Sequence, residues 1–340
     1  MMKKNIYIAY TGGTIGMKKS PFGYIPIPGF LQKQLQNMKE LNKKEIPNFV
    51  INEYIPLIDS SNMTPKGWKK IAYDIKKNYK KYDGFIILHG TDTMSYTASA
   101  LSFMLENLQK PVIITGSQIP LCEIRSDGRQ NLINSLFIAA NYPINEVSLF
   151  FNNKLYRGNR TTKTHADGFN AFSSPNLPPL LKIGIKIKKL YNNSILKKKK
   201  KLIVHNIKHQ PINIVTIYPG ISKKIMKNFF LKPTKGLILC SYGTGNAPQN
   251  KEFLYEINKA HSKNIIIINL TQCISGTVNM KNYATGNSLY NSGVISGKDL
   301  TIEATLTKLH FLFTKNLSIN SIKKKMQKNL RGEITNSKKC

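Results

Sequence analysis

Two hydroxyl-bearing turns stand out in this chain: Thr11-Gly12-Gly13-Thr14-Ile15-Gly16 and His89-Gly90-Thr91-Asp92-Thr93-Met94. A threonine hydroxyl is a weak nucleophile until a base removes its proton or the site stabilises its anion. Thr14 follows two glycines that let the backbone approach a ligand closely, and Tyr24, ten residues on, is a possible proton relay. Thr91 has Asp92 beside it, a carboxylate able to polarise the hydroxyl or to bind a substrate ammonium. Each turn also has a plain structural reading. The first is a tight strand-to-helix turn, and the second caps a helix starting near residue 95, where Thr and Asp are favoured. Both readings hold together at the second turn, because a helix N-terminus also offers amides to a developing oxyanion. Deprotonating Thr91 without a histidine requires a neutral amine, which a desolvated lysine supplies. Among 46 lysines, the segment Arg157-Gly158-Asn159-Arg160-Thr161-Thr162-Lys163 is the best local source. Two hydroxyl nucleophiles of this kind point to amide hydrolysis.

Other chemistries find less support. His89 ends a strand beside Thr91 and reads as structural or as support for the site. His205 and His209 are four apart but lack an H-E-x-x-H pattern, so no metal site is expected. Gly243-Thr244-Gly245-Asn246 resembles the start of a dinucleotide fingerprint. The third glycine is missing, however, and position 263 is Lys where an acid is needed. No G-x-x-x-x-G-K-[ST] occurs, so neither NAD nor ATP is expected as a cofactor. Cys122, Cys240, Cys273 and Cys340 are scattered, which argues against disulfides and against a zinc ribbon.

The elements that must position these turns follow from the apolar pattern. Runs at 6–10, 84–88, 112–115 and 147–151 read as buried strands, with helices over 95–108 and 131–140. Both threonine turns therefore leave the carboxyl ends of strands, where open α/β sheets bind ligands. Prolines at 21, 26, 28 and 47 break up residues 17–56, which read as a long loop with a short helix around 29–38. A loop of that length in a compact domain suggests a lid. From 182 to 210 the composition turns to lysine and asparagine, including Lys197–Lys201, and reads as a linker. Beyond it, strands fit 212–217, 236–240 and 264–270, and helices fit 221–231, 249–262, 300–314 and a basic stretch near 319–330. The expected fold is α/β: a catalytic domain over 1–185, a basic linker over 186–211 and a second α/β domain over 212–340.

The chain has 340 residues, 41% of them hydrophobic, enough for two ordinary cores. No run of about 18 apolar residues occurs, so no membrane partner is expected. Lys3-Lys4 and the following apolar run mimic a signal peptide, but five residues fall short of the roughly 7–15 of a secretory core, and a cytoplasmic protein is expected. The net charge of +34 invites a nucleic-acid reading, yet only 5 of the 51 basic residues are arginine, the side chain on which base readout leans. Lys, Asn and Ile are residues of A+T-rich codons, so compositional drift explains the charge. Specific nucleic-acid binding is not expected; salt-sensitive adhesion to polyanions is.

Together these segments resemble the bacterial L-asparaginases. YTGGTIG (10–16), DSSNMTP (59–65), DGFIILHGTDTM (83–94), ITGSQIP (114–120) and RGNRTTKTHADGF (157–169) carry the resemblance through the first half. PNLPPLL (175–181), IYPG (217–220), SYGTGNAPQN (241–250), NLTQC (269–273) and EATLTKL (303–309) carry it through the second, nearest to the cytoplasmic type I branch. The resemblance implies a larger N-terminal α/β domain, a smaller flavodoxin-like C-terminal domain, a homotetramer built as a dimer of dimers, and hydrolysis of L-asparagine to L-aspartate and ammonia. It makes Thr14 the nucleophile of a β-aspartyl ester, with Tyr24 assisting. Thr91, Asp92 and Lys163 form the second catalytic group, and Asp59, Ser60 and Ser61 join Thr91 and Asp92 in holding the substrate. It further implies a second, allosteric asparagine site around Thr162, Tyr242, Asn246, Thr271, Gln272 and Cys273, completed by an arginine on the effector's carboxylate. Cys240 stands where that arginine belongs. Losing a charge-assisted fork removes about 1.5–3 kcal/mol, as large as the coupling energies of about 1–3 kcal/mol that regulation runs on, so weak or absent cooperativity is expected. The alternatives are a glutaminase-leaning amidase, a subunit of a tRNA-dependent amidotransferase and, in a different class, a non-catalytic polyanion-binding protein.

Overall fold

The computed structural model describes residues 3–190 and 200–336. Residues 197–199 of the lysine run, and Cys340, lie outside them. The chain divides into two compact units, one of residues up to Ser174 plus Pro178–Asn206, the other of Pro175–Leu177 plus Ile207 onward.

In the first unit the strands are β1 (Asn5–Tyr10), β2 (Met17–Ser20), β3 (Gly23–Pro26), β4 (Asn48–Glu53), β5 (Gly84–Leu88), β6 (Leu105–Glu106) and β7 (Val112–Thr115). They continue with β8 (Val147–Phe151), β9 (Lys154–Arg157), β10 (Thr162–Lys163), β11 (Phe172–Ser173), β12 (Leu181–Lys182), β13 (Lys188–Lys189) and β14 (Ile203–Val204). The helices are α1 (Phe30–Gln36), α2 (Pro65–Asn78), α3 (Met94–Met104) and α4 (Gly128–Asn141). Eight strands form one mixed sheet in the order β13-β12-β9-β8-β7-β5-β1-β4. From β4 to β8 the strands are parallel, and β9, β12 and β13 add antiparallel pairs.

The chain steps from β1 outward to β4, then back across β1 to β5. The carboxyl ends of β4, β1, β5 and β7 therefore open side by side where the strand order reverses, the usual ligand crevice of such sheets. Gly84, Phe85, Ile86, Ile87 and Leu88 are all fully buried, as expected for a strand covered on both faces. At about 1.5–3 kcal/mol per large apolar side chain, such strands form the rigid floor of the site. Every residue of α3 except the half-exposed Tyr96 is buried, which makes it a core helix rather than a surface one.

Three segments depart from the sequence reading. Residues 17–56 are not one long loop: they hold the β2–β3 hairpin, α1 and the sheet-edge strand β4. In β4 every second residue is exposed, and its length is six, so its apolar signal is thin. The apolar pattern marks no element between 57 and 83, yet α2 fills half of that stretch. Pro65 stands in its first turn, and Trp68, Ile71, Ala72 and Ile75 face the core at helical spacing. Residues 186–211 are partly structured: β13 pairs with β12, and β14 pairs with β6. Along this side of the sheet Lys154, Lys182 and Lys188 stand opposite one another on three successive strands.

The second unit is a four-stranded parallel sheet in sequence order, β15 (Ile212–Thr216), β16 (Gly236–Ser241), β17 (Ile266–Thr271) and β18 (Ile295–Ser296). Helices α5 (Lys223–Asn228), α6 (Lys251–Ser262), α7 (Ala284–Asn291), α8 (Ile302–Thr314) and α9 (Ile319–Met326) pack with it. Ser222, Asn250, Thr301 and Ser318 cap α5, α6, α8 and α9 through side-chain oxygens. Behind α8 lies a fully buried ion pair, Lys308 to Glu333 at 2.6 Å. The lysine also donates to the Met326 and Lys328 carbonyls, and the carboxylate accepts from the Leu330 and Arg331 amides. This network ties the chain after α9 to the core. Among the described residues, no helix is long and apolar enough to cross a membrane.

Candidate active site

Three turns meet because two of them lack side chains at the contact. Gly13 has φ +95°, and a Cβ there would stand 2.5 Å from the Gly90 Cα and 2.8 Å from the His89 carbonyl carbon. A Cβ on Gly90 would meet the Ser60 Oγ at 2.5 Å. The turns after β1 and β5 and the segment after β4 are thus packed backbone against backbone. The Ile58 amide donates to the Thr11 carbonyl (2.7 Å), the Thr11 amide to the Leu88 carbonyl (3.0 Å), and the Thr93 hydroxyl to the Ser60 carbonyl (2.7 Å).

Thr14 opens a one-turn 3-10 helix, Thr14–Gly16, and is half-buried. Thr91 is buried at the head of α3, with Asp92 exposed beside it. Lys163, on β10, donates to Thr91 Oγ1 at 3.0 Å and to Asp92 Oδ1 at 2.8 Å. The structure thus brings together the three residues Thr91, Asp92 and Lys163. Asp59 caps a short 3-10 turn, Ser60–Asn62, and its Oδ1 accepts from both the amide and the hydroxyl of Ser61 at 2.9 Å. Ser60 is buried against Gly90, while Asp59 and Ser61 are exposed.

Tyr24 sits on β3 of the hairpin, its ring half-exposed. Its hydroxyl donates to Glu123 Oε1 (3.1 Å) and, among the described residues, makes no hydrogen bond to Thr14. The phenol is shifted upward, first by desolvation and then by the hydrogen bond and charge of Glu123. Behind the second turn, burial depresses His89 to about 4, so its ring is neutral. Nδ1 lies 2.7 Å from the Gly90 carbonyl, which only accepts, and this assigns the ring proton to Nδ1. Nε2 then accepts from the Thr97 hydroxyl (2.9 Å), which in turn accepts from the Trp68 indole (3.2 Å). His89 thus braces Gly90 from below.

Gln118 and Glu123 were missed in the sequence. Gln118 Oε1 accepts from the Thr91 hydroxyl at 3.1 Å. The available signal was position: Gln118 follows β7 just as the two threonine turns follow β1 and β5.

In the second unit, Gln272 donates to the Cys240 and Ile217 carbonyls, the Thr271 hydroxyl accepts from the Cys273 amide, and Tyr242 pairs with Asn246. The Cys240 thiol is in the core, and burial pushes its pKa up, opposed by a hydrogen bond with Thr216. Thr162 belongs to β10 of the first unit. His205 is paired with Glu106 at 2.6 Å.

Comparison with known proteins agrees with this architecture. Residues 5–195 match the asparaginase N-terminal domain model, and residues 211–326 match the glutaminase/asparaginase C-terminal domain model. L-asparaginase 1 of Escherichia coli K12 is 64% identical over 335 residues, spanning 98% of this chain and 99% of its own. L-asparaginase I from Vibrio cholerae has a TM-score of 0.92 at 58% identity, covering 98% of this chain and 99% of its own. A probable cytoplasmic L-asparaginase from Campylobacter jejuni has a TM-score of 0.78 at 25% identity, covering 96% of this chain and all of its own. Matched along both units in sequence and in backbone, the chain belongs to the asparaginase family, in its type I branch.

Proposed function

We propose that this enzyme hydrolyses L-asparagine to L-aspartate and ammonia through a threonine ester, in the cytoplasm and as a homotetramer. The observation that carries the reading is Lys163, held between Thr91 Oγ1 (3.0 Å) and Asp92 Oδ1 (2.8 Å) beside the turn that bears Thr14. Asp59, Ser60 and Ser61 receive the α-carboxylate and α-ammonium of the substrate, with Asp92 a second partner for the ammonium. Thr14 Oγ attacks the side-chain carbonyl carbon while its proton passes through Tyr24 to the departing nitrogen. The C–N bond breaks, ammonia leaves, and a β-aspartyl ester remains on Thr14. Thr91, with Lys163 and Asp92, takes a proton from the water that attacks this ester; the ester C–O bond breaks, that proton passes to Thr14 Oγ1 to regenerate its hydroxyl, and aspartate departs. For the first step Tyr24 must exchange Glu123 for Thr14, a movement of the β2–β3 hairpin that makes it the lid.

Steady-state ammonia release from L-Asn and L-Gln tests the reading directly. Loss of release in Thr14→Ala supports it; full activity in that variant refutes the threonine ester, and no release from the wild type itself would favour a non-catalytic polyanion binder. One methylene separates the two substrates, worth about 1–3 kcal/mol of discrimination, so the same two rate curves decide whether the enzyme leans to glutamine. Regulation by a second asparagine is weak in this reading. Position 240 carries a core-buried thiol and offers no cation to an effector carboxylate.

A further inference from the structure

Gln118 has no part in the mechanism above, yet every polar atom of its side chain is committed at the site. Oε1 accepts from the Thr91 hydroxyl (3.1 Å), while Nε2 donates to the Ala166 carbonyl (3.1 Å) and the Gly168 carbonyl (3.2 Å). Two carbonyls can only accept, so they fix which end of the amide faces Thr91. The Gln118 backbone amide is anchored as well, donating to both oxygens of Asp127 at 3.0 and 3.1 Å ahead of α4. Residues 164–171 form the end of the β10–β11 hairpin, with Thr162 opposite Ser173 and Lys163 opposite Phe172. The Thr164 and His165 amides both reach the Ala171 carbonyl, and the Gly168 amide reaches the His165 ring. Gln118 therefore grips the tip of the hairpin whose stem delivers Lys163.

We propose that Gln118 is a positioning residue of the second catalytic group. By accepting a hydrogen bond from the Thr91 hydroxyl it leaves a lone pair of Thr91 Oγ1 facing Lys163. By holding the Ala166 and Gly168 carbonyls it keeps the Lys163 stem in register with Thr91. Neither function requires contact with substrate. The inference rests on the reading of Thr91 and Lys163 as catalytic, and the experiment separates the two.

Ammonia release is measured for the wild type, Gln118→Met, Thr91→Val and the double variant, together with Gln118→Glu across pH. Methionine keeps the length and removes all three hydrogen bonds. Loss of near-ångström positioning costs about 100-fold in rate, so Q118M lowers kcat by roughly 10- to 100-fold with KM changed less than kcat. In the Thr91→Val background the same change adds little, because the group through which Gln118 acts is gone. The Glu variant presents only acceptors to two carbonyls at neutral pH. Its protonated form restores one donor and one acceptor, so its kcat relative to wild type rises as pH falls, whereas the ratio for Q118M stays flat. Equal losses from Q118M in both backgrounds would mean a general structural role and overturn the proposal. So would wild-type kcat in Q118M, or a flat ratio for Q118E. If Thr91→Val is itself fully active, the catalytic reading fails instead. If Thr91→Val is inactive, the Q118E ratio and the split between kcat and KM decide alone.

Discussion

Gly13→Ala tests the contact on which the site is built. The added Cβ would stand 2.5 Å from the Gly90 Cα, where carbon atoms in contact prefer about 3.5–4.0 Å. The two turns must therefore separate by about 1 Å, carrying Thr14 away from Thr91. A displacement of that size costs about 100-fold in rate, or about 2.7 kcal/mol of transition-state stabilisation. The residue is also held at φ +95°, a strained backbone for alanine worth about 1–3 kcal/mol of stability. Gly220→Ala is the control, since φ is +86° but an added Cβ meets nothing within 4 Å. Both variants should lose stability to strain in denaturant unfolding, Gly13→Ala more because of its overlap with Gly90, but only Gly13→Ala should also lose kcat/KM for ammonia release. Gly13→Ala within threefold of wild type would refute the argument that these glycines exist to bring the turns together. Equal loss of activity in Gly220→Ala would do the same.

Other predictions can be checked independently. Lys308→Met removes the buried ammonium that faces the Glu333 carboxylate and should cost about 3–5 kcal/mol in denaturant unfolding; adding Glu333→Gln, which still accepts from the backbone amides, should recover a good part. His89 and His310 are both held near 4 by burial, against an ordinary value of 6.5. Above pH 6.5 each is neutral folded and unfolded; between 6.5 and 4 only the unfolded chain gains the proton, so stability falls with pH across that window by roughly 3 kcal/mol per histidine. Unfolding free energies measured from pH 7.5 to 4.5 check the trend, and His89→Gln should flatten the slope. Rate against L-Asn should be hyperbolic and unchanged in shape by Thr162→Ala; a sigmoid that this substitution converts to a hyperbola would show that Cys240 has not silenced the second site.

The buried strands were legible because hydrophobicity alone marks them: Phe85 to Leu88 and Ile6 to Tyr10 have no polar residue to interrupt the run. Their carboxyl-end turns, and the hydroxyls in them, followed from position. Helix α2 was equally legible in principle, since Trp68, Ile71, Ala72 and Ile75 keep helical spacing, but the intervening lysines conceal it from a search for apolar runs. Strand β4 gave little signal because half its residues face outward at the edge of the sheet. At the site, Lys163 and Thr91 lie 72 positions apart, and only the mixed sheet closes that distance. Gln118 and Glu123 were illegible for a different reason. Gln118 has no acid–base chemistry, Glu123 is one of 17 acidic residues, and what they do is set by the hydroxyl each one faces.

The lysine column across β9, β12 and β13 has a consequence for the life of the polypeptide before it is an enzyme. An outer strand presents unpaired amides and carbonyls to any passing chain, and natural edges are commonly blunted by charge, lysine above all. Here Lys154, Lys182 and Lys188 stand abreast, so an identical edge approaching in register meets its own charge. That repulsion fades as ionic strength rises and the screening length falls to about 10 Å at 0.1 M salt and 3 Å at 1 M. Lysine on the outer strand and on the two behind it thus opposes such pairing most in dilute salt and least in brine.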